Sequence, residues 1–258
     1  MPHQKPKISI ITVSFNSIKT IKETLESVKC QTYDNVEHII IDGGSNDGTV
    51  ELCKNYPHVS ILISEKDNGI YDAINKGILQ STGDIIGILH SDDVFYRKDI
   101  LEIIVNCFDK EEKLKIFLGD IIQIKYLKYF QIKRLYQSKN WSPKRFAWGV
   151  MPAHPAFFCK KEVYSQSGLY KVNYKIAGDF EFLIRVLLRR NFEFKYFPIV
   201  TTIMKVGGAS TKNLISLIDL NIEIKRACTE NKVYTNFFMI YSKYFFKIFQ
   251  LLPNFSSK

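Results

Sequence analysis

The chain has 258 residues, of which 46% are apolar and 24% charged, a globular mix that supports a core of normal size and excludes wholesale disorder. A formal charge of +10 points to an anionic partner (nucleotide, phospholipid surface or nucleic acid) without choosing among them. Five scattered cysteines, Cys30, Cys53, Cys107, Cys159 and Cys228, form no CxxC pair and have no His at zinc-finger spacing, so they read as free thiols in a reducing compartment. The opening MPHQKPK lacks the apolar stretch of a signal peptide, and no apolar run reaches spanning length, so the cytoplasmic side is expected.

Residues 8–14 (ISIITVS) are a continuous apolar run, the pattern of a strand buried on both faces. Ile18, Ile21, Leu25 and Val28 then fall on one helical stripe. A second strand, 36–41 (VEHIII), runs into the turn formers and helix caps of DGGSNDGT. The pattern predicts a helix over 47–55, a strand over 59–63, a helix over 72–80 and a strand over 85–89. The next helix carries Ile100, Leu101, Ile104 and Phe108. Strands alternating with helices argue for an α/β fold, a mostly parallel sheet with helices on both faces. Ligands on such sheets bind beyond the strand carboxyl ends, where the polar clusters Ser14–Asn16, Asp42–Asp47 and His90–Asp93 stand. Residues 116–136 read as strand pairs, 179–190 as a helix, 192–204 as strand and 213 onward as a helical tail. One catalytic unit over 1–212 and a tail over 213–258 are expected.

Individual residues carry two readings each. The adjacent carboxylates of Asp92 and Asp93 repel one another, and a hard divalent cation, Mg2+ or Mn2+, would relieve that repulsion; the same residues also suit an N-cap for the next helix. Asp42 either accepts a hydrogen bond from a nucleobase N–H or caps the turn at Gly43 and Gly44. Lys76 either neutralises a diphosphate or is solvated. Asp179 and Glu181, in IAGDFEFLIR, start a helix as caps stabilised by its dipole or as a base held near an acceptor hydroxyl. His154, between Pro152 and Pro155, either touches substrate or packs structurally.

Taken in order, these segments resemble the family-2 glycosyltransferases, and within them the bacterial exopolysaccharide, colanic-acid-type branch, over roughly residues 7–210. In ISIITVSFN, Thr12, Ser14 and Asn16 match the donor-binding first loop; in HIIIDGGSNDGT, Asp42 matches the base-reading residue. SEKDNGIYDAINKGILQSTGDIIGILHSDD is the most specific stretch, with Asp67 and Gly69 at a donor-site turn, Lys76 at the basic position, and Asp92 and Asp93 at the metal motif. MPAHPAFFCKKEVY and GLYKVNYKIAGDFEFLIRV match the acceptor half, with His154 and Glu181 as contacts of acceptor or donor, and Asp179 on the family's general base. Three positions depart from the family pattern: Gly43 where a second acid is common, His90 at the first place of the DxD-like motif, and Gly178 where many relatives have Glu. With His90 there, metal coordination rests on Asp93, and Asp92 reaches the sugar or ribose.

The resemblance implies a nucleotide-diphospho-sugar transferase (GT-A type) fold and an inverting single displacement, with Asp179 as base and a Mn2+ or Mg2+ ion at Asp92–Asp93. It further implies a nucleotide-sugar donor, UDP-linked by preference, and a glycan or lipid-linked glycan acceptor in cell-surface polysaccharide synthesis. The glycines of VGGAST (206–211) suggest a loop over the donor. The aromatic tail TNFFMIYSKYFFKIFQLLPNF (235–255), with Lys243 and Lys247, is a poor spanning helix. It fits a peripheral helix on the inner face of the membrane or one packed on the catalytic unit. Three rivals are an inactive nucleotide-sugar-binding relative, opposed by intact Asp92, Asp93 and Asp179; a pyrophosphorylase, opposed by the lack of a Gly-rich basic loop in TVSFNS; and a nucleic-acid binder, for which no motif is present.

Overall fold

A computed structural model describes residues 5–127, 130–205 and 214–251 of the chain. The first strand, β1 (Ile8–Ser14), is buried along its whole length, as its unbroken apolar run requires. It is followed by α1 (Ile21–Lys29), β2 (Val36–Asp42), α2 (Thr49–Lys54), β3 (Val59–Ser64), α3 (Ile70–Gln80), β4 (Ile85–Ile88), the short β5 (Val94–Phe95) and α4 (Ile100–Lys110). The second half supplies β6 (Ile116–Leu127), β7 (Phe130–Tyr136), β8 (Phe157–Lys160), α5 (Lys161–Ser167), α6 (Gly178–Ile184), β9 (Phe194–Lys205), α7 (Leu214–Glu230) and α8 (Phe237–Leu251).

The strands form one sheet in the order β3-β2-β1-β4-β8-β6-β9-β5, with β7 paired to β6. Pairing is parallel across β3, β2, β1 and β4 and mixed beyond, where β8 lies antiparallel to both β4 and β6. The period-2 alternation of strand side chains divides β1 between two cores. Ile11 and Val13 join Ile74 and Ile78 of α3, whereas Ile8 and Ile10 join Ile100, Leu101 and Ile104 of α4. Ile40 of β2 packs on Ile21 and Leu25 of α1. Each such buried aliphatic is worth about 1.5–3 kcal/mol, so both sheet faces demand the helices that cover them.

Several expected boundaries move for local reasons. The helix expected over 47–55 shortens because Gly48 adopts a left-handed φ of 95° and Asp47 turns its carboxylate onto the Thr49 N–H. The helix expected over 179–190 is α-helical only to Ile184 and continues as a π turn over Arg185–Arg189. Strands β5 and β8 and helix α5 were not expected. The VGGAST segment lies outside the described residues.

Helices α7 and α8 put Ile224, Ala227, Cys228 and Ile240 into the same core as α3 and α6. No helix among the described residues is long and apolar enough to cross a membrane. On α8 the two faces differ sharply: Ile240 is fully buried and Phe238 is 82% exposed. Ile240→Ala should therefore cost about 2–5 kcal/mol of unfolding free energy, and Phe238→Ala less than about 0.5 kcal/mol, in urea titrations followed by circular dichroism. Equal costs would mean that α8 is not docked on the core.

Candidate active site

The chain leaves β1 toward β2 on one side and reaches β4 on the other. Diverging connections at neighbouring parallel strands open a crevice beyond their carboxyl ends. Here it becomes a cleft of about 2170 Å³ whose lining includes Ser14 and Asn16 after β1, His90, Asp92 and Asp93 after β4, Asp67 and Gly69 before α3, and His154 and Asp179 from the second half. Nine residues separated along the chain thus meet in one cavity.

Four expected contacts lie outside it. Thr12 is fully buried and its hydroxyl meets His38 Nε2 at 3.0 Å. Asp42 is fully buried as well. It accepts the Ser14 hydroxyl at 2.9 Å, the Gly44 and Ser45 N–H groups at 3.0 and 2.8 Å, and the Ser64 hydroxyl at 2.8 Å. Burial opposes its charge, but these donors hold the carboxyl below the ordinary Asp range. Asp42 thus anchors the turn at Gly43–Ser45. Lys76 pairs with Glu65 at 2.7 Å. Glu181 has no exposed surface and is clamped by Lys171 and Arg185, each at 2.9 Å. These ion pairs tie α6 to the segment after α5.

On the first-half wall, the Asn16 backbone takes a left-handed φ of 48°, a conformation Asn tolerates better than most residues. Its amide oxygen accepts the Asn46 N–H at 3.1 Å, tying the β1 loop to the β2 loop. Asp93 is 2% exposed. Burial, reinforced by neighbouring Asp92, pushes its carboxyl well above the ordinary range, against a single backbone N–H from Lys205 at 3.3 Å. A buried carboxyl with so few donors beside a second acid is a place where a hard cation would be stabilised. Among the described residues no group of three or more acidic, His or Cys side chains could enclose an ion. Two carboxylates instead suit the open mode in which substrate phosphates and water complete the shell.

Across the cleft, Asp179 lies in the first turn of α6. Its Oδ1 accepts its neighbour's Phe180 N–H at 2.7 Å and faces the Tyr71 hydroxyl at 3.5 Å; its Oδ2 lies 3.3 Å from His154 Nδ1. Burial raises Asp179 to about 6 and lowers His154 to about 4, so at neutral pH the pair is a carboxylate and a neutral imidazole. The His90 ring stands 6.1 Å from that of His154, centroid to centroid, and burial lowers it also to about 4.

Two positioning residues were not legible in the sequence. Tyr71 donates to the Ile176 carbonyl at 2.6 Å, and its ring fills the space a Cβ at Gly178 would need, 2.7 Å away. That contact is the physical reason a side chain is excluded at 178. Glu223 of α7 accepts the N–H groups of Lys175, Ile176 and Ala177 at 2.8, 2.9 and 2.8 Å, satisfying donors at the start of α6. Tyr71 stands inside the most specific motif, yet nothing local shows that it reaches the second half.

The comparisons with known proteins agree with this geometry. The model of glycosyl transferase family 2 matches residues 9–163. An uncharacterised glycosyltransferase of Mycobacterium tuberculosis is 33% identical over 187 residues, covering 71% of this chain and 70% of the relative. Residues 1–349 of TarS from S. aureus, solved with UDP-GlcNAc, superpose with a TM-score of 0.67 at 15% identity, over 86% of this chain and 66% of that one. This chain spans only 39% of the longer TarS structure. The mannosyltransferase PcManGT of Pyrobaculum calidifontis, solved with GDP-Man and Mn2+, gives 0.64 at 18% identity, over 87% and 66%. The sheet and its helices are thus a nucleotide-sugar transferase fold of GT-A type, and the chain belongs to glycosyl transferase family 2.

Proposed function

We propose that this protein is an inverting, metal-dependent transferase. In this reading it moves a sugar from a nucleotide-sugar donor, UDP-linked by preference, to a saccharide or lipid-linked saccharide in cell-surface polysaccharide synthesis. One observation carries the reading: Asp92 and Asp93 at the end of β4 face the same cleft as Asp179 and His154, so a cation-binding pair and a basic pair stand on its walls. The relatives solved with UDP-GlcNAc and with GDP-Man and Mn2+ support the donor class and the metal.

Asp92 and Asp93 would hold the ion, which when bound would stabilise charge developing on the diphosphate. Ser14, Asn16, Asp67 and Gly69 border the donor half of the cleft. The Asp179 carboxylate supplies basic charge on the acceptor side as the hydroxyl attacks the anomeric carbon. The cleft lining also includes Lys133, Lys139, Arg145 and Lys175 and the apolar Trp148 and Leu217. Cationic and apolar lining together support an acceptor that carries phosphate and lipid. Phe237, Phe238 and Tyr241 are 42%, 82% and 40% exposed on α8, which supports attachment of this edge to a membrane surface.

Donor hydrolysis tests the class. Purified protein with Mn2+ should release nucleoside diphosphate from one member of a nucleotide-sugar panel. Release should stop with chelator and in Asp93→Ala. Asp93→Ala and Asp179→Asn should both abolish transfer, but only the first should weaken metal-dependent donor binding in calorimetry; equal binding by both would sink this division of roles. Silence across the panel with no metal-dependent nucleotide binding would favour an inactive relative.

Asp179 also predicts a pH dependence. The rate should rise about tenfold per pH unit up to about 6, where the carboxyl ionises. The same raised value makes ionisation cost stability: the contribution is fully present below the ordinary Asp value and lost as pH rises through about 6. Asp179→Asn should therefore leave Tm unchanged near pH ~3.5 and raise stability by about 1–3 kcal/mol at pH ~8, in scanning calorimetry. A variant less stable at the higher pH would contradict the buried charge.

Membrane attachment predicts co-sedimentation with vesicles containing phosphatidylglycerol, reduced several-fold by Phe238→Glu. Indifference to that change would leave α8 with its packing role alone.

A further inference from the structure

Helix α8 has two unlike faces. Phe238 and Tyr241 are 82% and 40% exposed, whereas Ile240 is fully buried. Residues three apart share a helix face, so Lys243 follows Ile240 into the protein and is only 7% exposed. It nevertheless forms part of the cleft lining. A lysine on an outer helix ordinarily keeps its ammonium in water, and one that served lipid headgroups would stand with Phe238. Lys243 stands on the opposite face.

The Lys243 ammonium meets the end of the 3-10 turn Pro143–Trp148. Its Nζ lies 3.3 Å from the point a Cβ at Gly149 would occupy, and Gly149 holds a left-handed φ of 66°. A side chain at 149 would be strained and would crowd the ammonium. Arg145 belongs to the same turn, and its carbonyl accepts the Val150 N–H at 3.2 Å. It lines the cleft, is exposed and forms no ion pair among the described residues, whereas Lys205, also in the lining, is engaged by Glu23. Arg145 and Asp179 act on one hydroxyl: burial raises Tyr136, Arg134 and Arg145 draw it down, and Asp179 raises it. The Tyr136 hydroxyl donates in turn to the carbonyl of Met151 at 2.8 Å, just past Gly149. Two cations from separate segments, the turn and α8, thus stand on one stretch of the second-half wall, and that stretch reaches the surroundings of Asp179.

We propose that Arg145 and Lys243 form an anion subsite for the acceptor, which holds the phosphate oxygens of a lipid-linked saccharide while its chain lies on Trp148 and Leu217. The inference rests on the sugar-transfer reading above and names the residues that recognise the acceptor within it. The planar guanidinium suits two phosphate oxygens, and the ammonium acts as a point charge on the same group. In that reading the donor diphosphate has its own place by Asp92 and Asp93 on the first-half wall, so cations here serve a second phosphate. Trp148 is 41% exposed and, with Leu217, gives the lining an apolar part. The tail then belongs to the substrate site: α8 presents aromatic rings outward and one cation inward.

Both tryptophans of the chain report on this region, since Trp148 ends the turn and Trp141 donates to the Val150 carbonyl at 3.0 Å. Farnesyl diphosphate, added to the full chain in EDTA, should change their fluorescence to saturation, and added NaCl should weaken its binding. Lys243→Gln should weaken binding by about 10–100-fold and Arg145→Gln by about 3–10-fold. Lys54→Gln, at an exposed lysine of α2, should stay within about twofold, because a distant charge is screened. Arg145 is exposed, so its variant carries the test if circular dichroism shows Lys243→Gln unfolded. Inorganic pyrophosphate should compete but bind more weakly, for want of the chain; equal affinity for the two would overturn the lipid-linked acceptor. Binding unchanged by both substitutions would overturn the subsite. So would a Lys243→Gln variant that loses only its sedimentation with phosphatidylglycerol vesicles. Metal-dependent nucleotide binding by the unaltered protein is measured separately. Its absence overturns the sugar-transfer reading and the acceptor role with it, whereas nucleotide binding without farnesyl diphosphate binding overturns the subsite alone.

Discussion

The chain enters α6 through residues 175–177, whose backbone N–H groups need partners wherever they are shut off from water. Glu223, reaching over from α7, accepts the three successive N–H groups of residues 175–177. This contact holds the second-half wall of the cleft. It sets the entry of the chain into α6, and so the direction of Asp179 two residues on. Within the first turn of α6, where the helix dipole favours negative charge, the Asp179 carboxylate itself accepts the Phe180 N–H.

Tyr71 works from the opposite side. It belongs to α3, whose other face packs on Ile11 and Ile39 of the parallel sheet, so its hydroxyl on the Ile176 carbonyl joins the first half of the chain to the second. The ring lies where a side chain at 178 would lie, which couples the departure at Gly178 to the tyrosine. Glu181 adds a second clamp. Its partners Lys171 and Arg185 draw the segment after α5 against α6, and Arg185 spends its remaining donors on the Ser167 and Leu169 carbonyls. A buried carboxylate with two cations is costly to disrupt, so the acceptor wall is held rigidly from both ends.

Two buried carboxylates near the ends of the parallel strands sit in opposite electrostatic settings. Asp93, pressed into the sheet next to Asp92, is a carboxyl poorly supplied with donors, and its surroundings resist its charge. Asp42, two strands over, is equally buried yet surrounded by hydroxyl and amide donors, and its charge is favoured. The difference is chemical supply, not depth: Asp42 completes its own turn, while Asp93 has a single backbone N–H from Lys205 and a neighbouring acid. His90 and His154, held neutral by burial, bring polar edges to the junction of the walls without adding cationic charge.

Much of the fold was legible in the sequence because its signals are local. Continuous apolar runs announced the buried parallel strands, β1 to the residue, and helical spacing announced α1, α3 and α4. Motif order along the chain brought out the carboxylates at Asp92, Asp93 and Asp179. Short elements with mixed neighbours, β5, β8 and α5, had no periodicity long enough to read. Side-chain direction was not legible either. Whether Thr12, Asp42, Lys76 and Glu181 turn toward the cleft or into the protein depends on which hydroxyl, amide or cation lies opposite, and those partners come from distant segments. The sequence by itself determined the class of sheet, the residues at its carboxyl ends and the carboxylates available for chemistry, because these follow from periodicity and turn chemistry within a few residues. Only the tertiary structure decided that Glu223 holds the segment entering α6, that Tyr71 excludes a side chain at Gly178 and that His154 stands against Asp179, because each is a contact between segments far apart in the chain that meet only when the sheet and its helices have closed around the cleft.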